Sequence, residues 1–407
     1  MIGTGTLLTG GGGLGAIKVV HAADAHLGTR FPHMDKEAEA LRAEDVFRVF
    51  GDMIQAVIKE RAHLLLVAGD LFARSNIRRE TISRVLEWFA AIHEKLPHTR
   101  IVLTPGEDEV LVRKDGSTDC TLGVFEHLSY VDVLGRGPDC DRKVYDLNGQ
   151  DVTVGSCPYE MFFEPDFTAR RILPVKRGCG VFLLHTYARR RRLLPLDTAE
   201  FKTRVLEPLA ARGYRYAALG HNHSLSTIEH NGLTAVYPGS LERLAVDEDR
   251  GKKYFVTFTI DRNGAPGPPE PVRTRVRPLE YITLTCALGD DAITATLDGL
   301  AGAGGKDKIL YLVLEGQMAF DAFSRFKNSP TLAGLRERYA AVHLDNRLVL
   351  ADPATGYDYN ALRVGTPAEE FRRFMDREMA QAPDGSEEKR LLAELFEMGM
   401  REIEQDL

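Results

Sequence analysis

The chain has 407 residues, of which 44% are hydrophobic and 27% are charged, and its mean hydropathy is −0.21. This balance is typical of a globular protein and excludes fibrous and wholly disordered chains. No window reaches the roughly 18 apolar residues that a membrane span needs, so no membrane association is expected. The five cysteines are scattered and form no CxxC pair, which indicates neither a zinc knuckle nor a disulfide framework and favours a reducing cytoplasm.

The net charge of −7 is concentrated near the end of the chain. Residues 365–407 contain twelve acidic and six basic side chains, so the first 364 residues carry a net charge of only about −1. An acidic chain is not a general nucleic-acid coat. This distribution still permits a DNA-facing groove in the body of the protein.

Strand and helix patterns alternate through residues 17–262. Residues 1–16 are rich in Gly and Thr and predict a flexible leader, because their GxGxxG match precedes the first strand instead of following one. Helical spacing predicts helices around residues 46–58 and 82–92. Apolar runs predict strands at 17–23, 64–68, 101–104, 152–156, 181–184, 216–219, 234–237 and 254–260. Early strand–helix alternation followed by closely spaced strands predicts helices packed around a mixed sheet or a sheet sandwich.

The second part of the chain reads as two smaller regions. Residues 263–278 are rich in Pro and Gly and predict a linker. Residues 279–352 predict a small α/β unit, with helices over 292–300 and 320–339. Residues 353–407 predict a helical tail containing two amphipathic helices separated at Pro383-Asp384-Gly385.

Five groups of polar side chains follow predicted strands. Because sites in open α/β sheets form at the carboxyl ends of strands, we expect these groups to meet in one crevice. Asp and His side chains suit Mn, Fe, Zn or Co, and two cations sharing one carboxylate could activate water at a phosphorus centre. The groups are Asp24-Ala25-His26, Gly69-Asp70, Gly106-Glu107-Asp108-Glu109, His185 and Gly220-His221-Asn222-His223.

These groups carry a family resemblance. The strings KVVHAADAHLGTRF (18–31), LLLVAGDLF (64–72), LLHTY (183–187), YAALGHNH (216–223) and YPGSLERL (237–244) resemble the calcineurin-like metallophosphoesterase superfamily. More narrowly, they resemble the SbcD-type and YhaO-like DNA repair exonuclease subunits, bacterial kin of the nuclease subunit of the MRN complex. The resemblance implies an α/β (α+β) fold: a four-layer metallophosphoesterase β-sandwich flanked by helices over residues 17–262. It also implies a small α/β capping domain and a helical ATPase-docking tail.

The resemblance also implies a role for each matching position. One metal would be bound by Asp24, His26 and His223, and the other by His185 and His221, with Asp70 as the bridge. The cofactors would be two divalent ions, with Mn favoured and Mg, Fe and Zn as alternatives. The partners would be DNA, an SbcC-like ABC ATPase whose coiled coil docks on residues 366–407, and a second copy in a homodimer. The location would be cytoplasmic and nucleoid-associated.

One motif departs from the family pattern. The family reads GNHD where this sequence reads Gly106-Glu107-Asp108-Glu109. Glu107 can replace the Asn oxygen as a metal ligand, but it adds negative charge. Asp108 can replace the catalytic His only when it is protonated, and general acid–base help is worth typically about 10²–10⁴ in rate. We therefore expect catalysis through Glu107 and Asp108 to be weakened or altered, unless His33 or His127 substitutes for the missing histidine.

Two further places are candidate substrate contacts. Arg189, Arg190, Arg191 and Arg192 form a run after His185 that is interpreted either as a phosphate-gripping loop or as a solvated loop. Ser240 and Arg243 lie near the site by resemblance, although the turn at Tyr237-Pro238-Gly239 needs no function.

Three functions fit the sequence. The first is a metal-dependent phosphodiesterase that acts on DNA ends with an ATPase partner. The second is a phosphoesterase for a small phosphoester or cyclic nucleotide. The third is a catalytically weak or inactive structural subunit that binds metal and docks the ATPase. The α/β unit and the helical tail favour the first and third functions, because a small substrate needs neither.

Overall fold

The computed structural model describes residues 15–32, 34, 36–112, 118–158, 161, 171–186, 198–245, 248, 252–286, 304–351 and short stretches between 371 and 396. The chain divides into two compact units. The first is Met1–Glu280 with Asp307–Ile309 and Ala340–His343, and the second is Tyr281–Lys306 with Leu310–Tyr339 and Leu344–Leu407. Among the described residues, no helix is long and apolar enough to span a membrane.

The first six-stranded sheet has a parallel centre and an antiparallel edge. Its strands are β1 (Ile17–Ala22), β2 (Leu64–Ala68), β3 (Arg100–Thr104), β6 (Val131–Val133), β13 (Tyr254–Ile260) and β14 (Glu270–Arg273). They lie in the order β14-β13-β1-β2-β3-β6, in which β1, β2, β3 and β6 are parallel. The carboxyl ends of β1, β2 and β3 therefore share one edge.

Two long helices cover the outer face of this sheet. They are α1 (Lys36–Lys59) and α2 (Arg79–Lys95). The apolar residues Val46, Phe50, Met53 and Val57 recur at helical spacing in α1, and all are buried. They pack with alternate strand residues such as Leu65, and this burial supplies the main driving force for docking.

The second six-stranded sheet is built in the same way. Its strands are β7 (Asp141–Leu147), β8 (Gln150–Ser156), β9 (Cys179–His185), β10 (Tyr214–Gly220), β11 (Ser226–His230) and β12 (Leu233–Tyr237). They lie in the order β11-β12-β10-β9-β8-β7, with β8, β9, β10 and β12 parallel. Helices α3 (Thr198–Phe201) and α4 (Glu207–Ala211), joined by the π-helical turn Lys202–Leu206, pack on its outer face.

The two sheets pack face to face. One buried cluster, the sandwich core, contains Val19 and Leu66 from the first sheet and Val181 and Tyr216 from the second. The strand period of two sends alternate residues to the sandwich core and to the helices, as Val19 and Val20 show. The layers are therefore helix, sheet, sheet, helix, and the predicted metallophosphoesterase fold class is confirmed.

The remaining described elements are smaller. The hairpin β4 (Val110–Val112) and β5 (Thr118–Cys120) follows a 3-10 turn at Glu107–Glu109. A three-stranded sheet has the order β15-β16-β17, formed by Leu279–Cys286, Gly305–Ala319 and Tyr339–Ala351. Helices α5 (Phe320–Lys327) and α6 (Pro330–Arg338) lie between its last two strands in the chain.

Two local differences from the sequence-based expectations have clear causes. The helix expected over 320–339 is two helices, because Pro330 starts α6 and the hydroxyl of Ser329 accepts a hydrogen bond from the backbone N–H of Leu332 at 3.2 Å. The stretch expected to be a linker contains β14, which pairs with β13 as the edge strand of the first sheet. Its Pro271 is tolerated there because an edge strand leaves one side unpaired.

The helix expected over 292–300 lies outside the described residues, as do residues 1–14 of the leader and most of the tail.

Candidate metal centre

The polar groups that follow the central strands converge at one edge of the sandwich. The backbone N–H of His26 donates to the carbonyl of Asp70 at 2.9 Å, which joins the loops after β1 and β2. The backbone N–H of His221 donates to the Asp24 carboxylate at 2.8 Å, which joins the two sheets. The backbone N–H of Asp108 donates to the Asp70 carboxylate at 3.2 Å. The expected meeting of these groups is thus observed.

Four of the converging residues have left-handed backbone conformations. Their φ angles are 50° at Asp24, 44° at His26, 47° at Asp70 and 91° at His221. Residues other than glycine seldom adopt such angles, and each costs of order 1–3 kcal/mol. The surrounding hydrogen bonds offset this strain, and the strained backbone in turn fixes the directions of these side chains.

Two glycines make the close approach possible. A Cβ atom at Gly69, where φ is 80°, would lie 2.1 Å from Nδ1 of His185. A Cβ atom at Gly106 would lie 2.0 Å from Oδ1 of Asp70. Any side chain at either position would displace a converging residue, which explains the glycine–aspartate and glycine–glutamate pairs noted in the sequence.

The first group of potential metal ligands contains Asp24, His26 and His223. Their donor atoms all lie within 4.8 Å of one another. Nε2 of His26 lies 3.1 Å from Nε2 of His223. Asp24 is completely buried, and burial raises the pKa of its carboxyl group. Two imidazole nitrogens that face each other beside a buried carboxylate suit a cation placed between them.

The second group contains Asp70, His185 and His221, also with donor atoms within 4.8 Å of one another. Nε2 of His185 lies 3.2 Å from Oδ2 of Asp70, and Nδ1 of His221 lies 3.3 Å from Nε2 of His185. The same Asp70 oxygen lies 3.7 Å from Nε2 of His26 in the first group. Asp70 therefore lies between the two groups.

Electrostatic coupling inside the site is strong. Burial opposes the charge of Asp70, but the charge and the hydrogen bond of His185 hold the pKa of Asp70 well below its ordinary value. Burial likewise opposes protonation of His185, and the charge of Asp70 still raises the pKa of His185 to about 10. Burial and the charge of His185 lower the pKa of His221 to about 4. Such perturbed values cluster at functional sites.

The motif Gly106-Glu107-Asp108-Glu109, which differs from the GNHD of the family, lies at the rim of the site. Oε1 of the half-exposed Glu107 lies 3.7 Å from Nδ1 of His221. Oδ2 of Asp108 lies 3.2 Å from Nδ1 of His26, and Asp108 forms a third group of potential ligands with His26 and Asp70. Burial and the charge of Asp70 raise the pKa of Glu107. The motif thus adds two carboxyl groups, one beside each histidine-containing group.

The last residue of this motif has a structural role that the sequence did not reveal. Glu109 is completely buried, and its carboxyl group accepts hydrogen bonds from the backbone N–H groups of Gly106 at 2.9 Å and Phe72 at 3.0 Å. Burial and the charge of Asp70 raise the pKa of Glu109 to about 8. Its side chain ties the turn after β3 to the loop after β2 and so fixes the position of Glu107 and Asp108.

A second supporting residue, Glu248, was also missed. Its Oε1 accepts a hydrogen bond from Nδ1 of His223 at 2.6 Å, and its Oε2 lies 2.6 Å from Nζ of the buried Lys253. Burial raises the pKa of Glu248, but the hydrogen bond from His223 and the charge of Lys253 outweigh it and lower the value to about 2. A carboxylate on Nδ1 fixes the tautomer that leaves Nε2 free to bind a metal. No strand end or motif precedes Glu248 in the sequence, so no pattern marked it.

The other candidate residues are placed differently. Ser240 is completely buried, and its hydroxyl group accepts a hydrogen bond from Lys253 at 2.8 Å, which puts it in the support of His223. Arg243 is buried, and its carbonyl group accepts from Arg42 at 2.6 Å. His127 is exposed, and among the described residues it belongs to none of the groups of potential ligands. Residues 189–192 and His33 lie outside the described residues.

The donor set fits two divalent cations. Each group combines imidazole nitrogen with carboxylate oxygen, the ligand types that suit borderline first-row metals and not soft, thiolate-binding ions. Asp70 offers an oxygen to both groups, as a bridged pair of cations requires.

Known proteins match this part of the chain. The sequence pattern of the family described as calcineurin-like phosphoesterase matches residues 17–225. The DNA double-strand break repair protein Mre11 of Methanopyrus kandleri is 27% identical over 267 residues, which cover 61% of this chain and 55% of that protein. Mre11 of Saccharolobus solfataricus is 22% identical over 310 residues, covering 74% and 76%. A solved archaeal phosphodiesterase is 10% identical with a TM-score of 0.31, covering 63% of this chain and 99% of that structure.

The chain spans about half the length of the first of these relatives. The family match covers half of the chain and includes all six residues of the two histidine-containing groups. The resemblance noted in the sequence is therefore confirmed at the level of the family, and this match supports the prediction of a phosphoesterase enzyme. By this match, and by the fold and site that accompany it, the chain belongs to the calcineurin-like phosphoesterase family.

Proposed function

We propose that this protein is a phosphodiesterase that uses two divalent metal ions to cleave DNA in repair. The observation that carries the proposal is the position of Asp70, whose carboxylate lies 3.2 Å from His185 and 3.7 Å from His26. When bound, two such cations activate water and neutralise charge on a phosphorus centre. The similarity to Mre11 proteins, which are described as DNA double-strand break repair proteins, supports DNA as the substrate.

The residues of the chain divide this work. Asp24, His26 and His223 would hold one metal, and His185 and His221 would hold the other, with Asp70 between them. Glu107, at the rim beside His221, would add an oxygen ligand to the second metal. Manganese is the proposed metal, because mixed nitrogen and oxygen ligands with several carboxylates suit it better than they suit softer ions. The additional carboxyl groups of Glu107 and Asp108 reinforce that preference.

With Asp108 in place of the histidine of the family motif, the enzyme should cleave more slowly and with an altered proton transfer. A histidine at this position would contact the scissile phosphate and protonate the leaving oxygen. Asp108 instead lies 3.2 Å from Nδ1 of His26, where a carboxylate accepts a hydrogen bond from the ring and orients it. Its negative charge also opposes the approach of a phosphodiester. We therefore propose that Asp108 positions His26 and that general acid help is reduced.

The test is a nuclease assay with labelled single- and double-stranded DNA in the presence of Mn²⁺. The wild-type chain should cleave slowly, and Asp108→His should be faster by about 10²-fold, the lower end of general acid–base help. Glu107→Gln, which removes charge but keeps an oxygen ligand, is the matched control for charge alone. Robust wild-type cleavage that Asp108→His does not accelerate would refute the proposed role of Asp108.

A catalytically inactive subunit is the second candidate. The two carboxyl groups that replace the Asn and His of the family motif favour it specifically. If neither the wild-type chain nor Asp108→His cleaves DNA while both bind metal, this candidate replaces the first. A phosphoesterase for small substrates is a third candidate, and hydrolysis of a cyclic nucleotide or a small phosphodiester without DNA cleavage would identify it.

The proposed partners follow from the family relationship. We place the docking site for the coiled coil of an SbcC-like ABC ATPase in residues 366–407, and we propose a homodimer. Phe371 and Phe396 support two paired helical segments there, because their rings stack at 6.2 Å. Deleting residues 366–407 should abolish ATPase association and leave metal binding intact.

A role in DNA repair would place the protein in the cytoplasm, associated with the nucleoid. The run of arginines at 189–192 would then bind the phosphate groups of the DNA backbone.

A further inference from the structure

Two cysteines stand opposite each other at the open end of a hairpin in the second sheet. Strands β7 and β8 are joined by the two-residue turn Asn148-Gly149, whose φ angles are 52° and 75°. Both angles are positive, as the tight type I′ turn requires. The last pair in the register is Asp141 with Ser156. One step further along the same register, Cys140 faces Cys157.

The alternation of hydrogen bonds identifies the kind of pair that they form. In a hairpin with a two-residue turn, the pair that flanks the turn, here Leu147 and Gln150, exchanges backbone hydrogen bonds. Directly opposed pairs alternate from there, so Asp141 and Ser156 form a hydrogen-bonded pair and the two cysteines form a non-hydrogen-bonded pair. Cα atoms in such pairs are about 4.5 Å apart, within the roughly 4.4–6.8 Å that a disulfide spans.

The packing of the side chains agrees with this pairing. Cys140 and Cys157 lie in the same buried cluster. Sγ of Cys140 lies 3.3 Å from Sδ of Met161 in that cluster. Interaction with the thiol of Cys157 lowers the pKa of Cys140, and the guanidinium group of Arg171 acts in the same direction against burial. Cys140 is 7% exposed and Cys157 only 1% exposed, so Cys140 is the thiol that a small oxidant reaches first.

We propose that Cys140 and Cys157 are a redox modification site that closes to a disulfide when a peroxide oxidises the protein. The thiolate of Cys140 attacks one oxygen of hydrogen peroxide, the O–O bond breaks, and water leaves after protonation of the hydroxide. The resulting sulfenic acid is attacked by the sulfur of Cys157, the S–O bond breaks, and a second water leaves with the thiol proton. Two thiols and one peroxide thus give one disulfide and two waters, and a dithiol reverses the change.

The disulfide would fasten the carboxyl end of β8. Ser156 precedes Cys157, and its hydroxyl group lies 2.8 Å from the hydroxyl group of Thr104 at the end of β3. The crosslink therefore closes the hairpin beside the strand that leads into the candidate metal centre. Closing a loop restricts the unfolded chain, so the oxidised protein should unfold at a higher temperature than the reduced protein.

Buried cysteines also serve as small apolar side chains, and such residues are inert. Cys179 provides an internal comparison, because it is equally buried in β9 and its partner in the register with β8 is Val152, not a cysteine. Burial raises the pKa of Cys179 to about 12, whereas the paired thiol of Cys140 shifts the other way. Cys140 and Cys157 therefore differ from Cys179 in facing each other across the hairpin, and not in burial.

The experiment treats the full chain with hydrogen peroxide, blocks the remaining thiols with an alkylating reagent, and maps the peptides by mass spectrometry without reduction. The expected product is one crosslink between Cys140 and Cys157, two mass units lighter than the dithiol and lost after treatment with dithiothreitol. Cys179 should remain alkylatable after unfolding. A peroxide-treated chain in which Cys140 and Cys157 are both still alkylated, or are overoxidised without a crosslink, overturns the proposal.

Two variants separate the chemistry from the packing. Cys157→Ala should trap a sulfenic acid at Cys140 that reacts with dimedone, and its melting temperature should not rise on oxidation. Cys179→Ala should form the crosslink as the wild type does. If Cys157→Ala does not fold, the peptide map of the wild-type chain decides alone. A rise in melting temperature on oxidation of Cys157→Ala equal to that of the wild type would show that the crosslink is not its cause.

Discussion

The two sheets of the sandwich deliver different chemistry to the same edge. The first sheet supplies four carboxyl groups that lie in or beside the groups of potential ligands, namely Asp24, Asp70, Glu107 and Asp108, together with His26. The second sheet supplies the three imidazoles of His185, His221 and His223. Neither half could hold two cations alone, because the first lacks enough nitrogen donors and the second would carry no charge to balance a cation.

The two halves also position their residues differently. The acidic half aims its residues with left-handed backbone angles and two close glycines. The imidazole half relies more on hydrogen bonds that ring nitrogens donate, from His185 to the carbonyl of Ala68 and from His223 to the carboxylate of Glu248. Backbone strain fixes a short side chain such as aspartate, whereas a long, rotatable imidazole needs a partner on its second nitrogen. The following substitutions test this division.

Replacing Asp70 should have the largest effect, because both groups depend on it. Asp70→Asn should abolish binding of the second cation and lower any phosphoesterase activity by roughly 10³-fold, since a metal supplies several kcal/mol of charge stabilisation. Calorimetric Mn²⁺ titration and hydrolysis of a chromogenic phosphodiester measure the two effects. Glu87→Gln, on the exposed face of α2, is the control. Full binding of two cations by Asp70→Asn would show that Asp70 is not the bridge.

Removing one histidine side chain at a time should abolish binding of one cation and preserve binding of the other. His223→Ala should lose one cation and His221→Ala the other, because these residues belong to different groups. Metal analysis after dialysis should therefore find one bound ion in each variant instead of two. His127→Ala, at an exposed position, should behave as the wild type does and thereby exclude the alternative that His127 substitutes for the missing histidine. Loss of both ions from either imidazole variant would show that the two groups are not separable.

Disturbing the support of His223 should have a smaller effect. Glu248→Ala removes the hydrogen bond to Nδ1 and should weaken binding of one cation by about 10–100-fold, the usual range for such partners. Glu248→Gln keeps an oxygen that can accept this hydrogen bond and should restore most of the affinity. Equal affinities of the wild type and Glu248→Ala in Mn²⁺ titrations would refute a positioning role.

The last expected effect concerns the contact between the sheets away from the metals, and it acts on stability and not on metal binding. Nδ1 of His21 in β1 lies 3.1 Å from the hydroxyl group of Tyr216 in β10. Burial lowers the pKa of His21 to about 3, so the folded protein leaves the ring neutral while the unfolded chain protonates it below pH 6.5. Stability is therefore lost as the pH falls from 6.5 towards 3, by at most about 1.4 kcal/mol per pH unit.

His21→Gln removes this titration and keeps an amide beside Tyr216. Between pH 6.5 and 4.5, urea unfolding of the variant should depend less on pH than that of the wild type. Identical pH dependence in the two proteins would mean that His21 is protonated in the folded state as readily as in the unfolded chain.

Much of the site was predictable from local sequence. Asp24, His26, Asp70, His185, His221 and His223 each follow an apolar run that ends at a turn, and parallel strands bring their carboxyl ends to one edge. Pairing of β1 with β2 and of β9 with β10 follows that rule, so neighbouring loops within each sheet could be placed from the sequence. Similarly, the helical period of α1 marked its buried face.

Tertiary structure decided what crosses between distant segments. Three contacts join residues whose spacing carries no period: the hydrogen bond from His223 to Glu248, the hydrogen bond from the backbone N–H of Phe72 to Glu109, and the contact of Asp108 with His26. The chain by itself determined which side chains stand at the strand ends, because strand period and breaker residues act over a few neighbours. Which carboxylate meets which imidazole, and in what protonation state, depends on how two separately formed sheets pack, because burial and charge act through space and not along the chain.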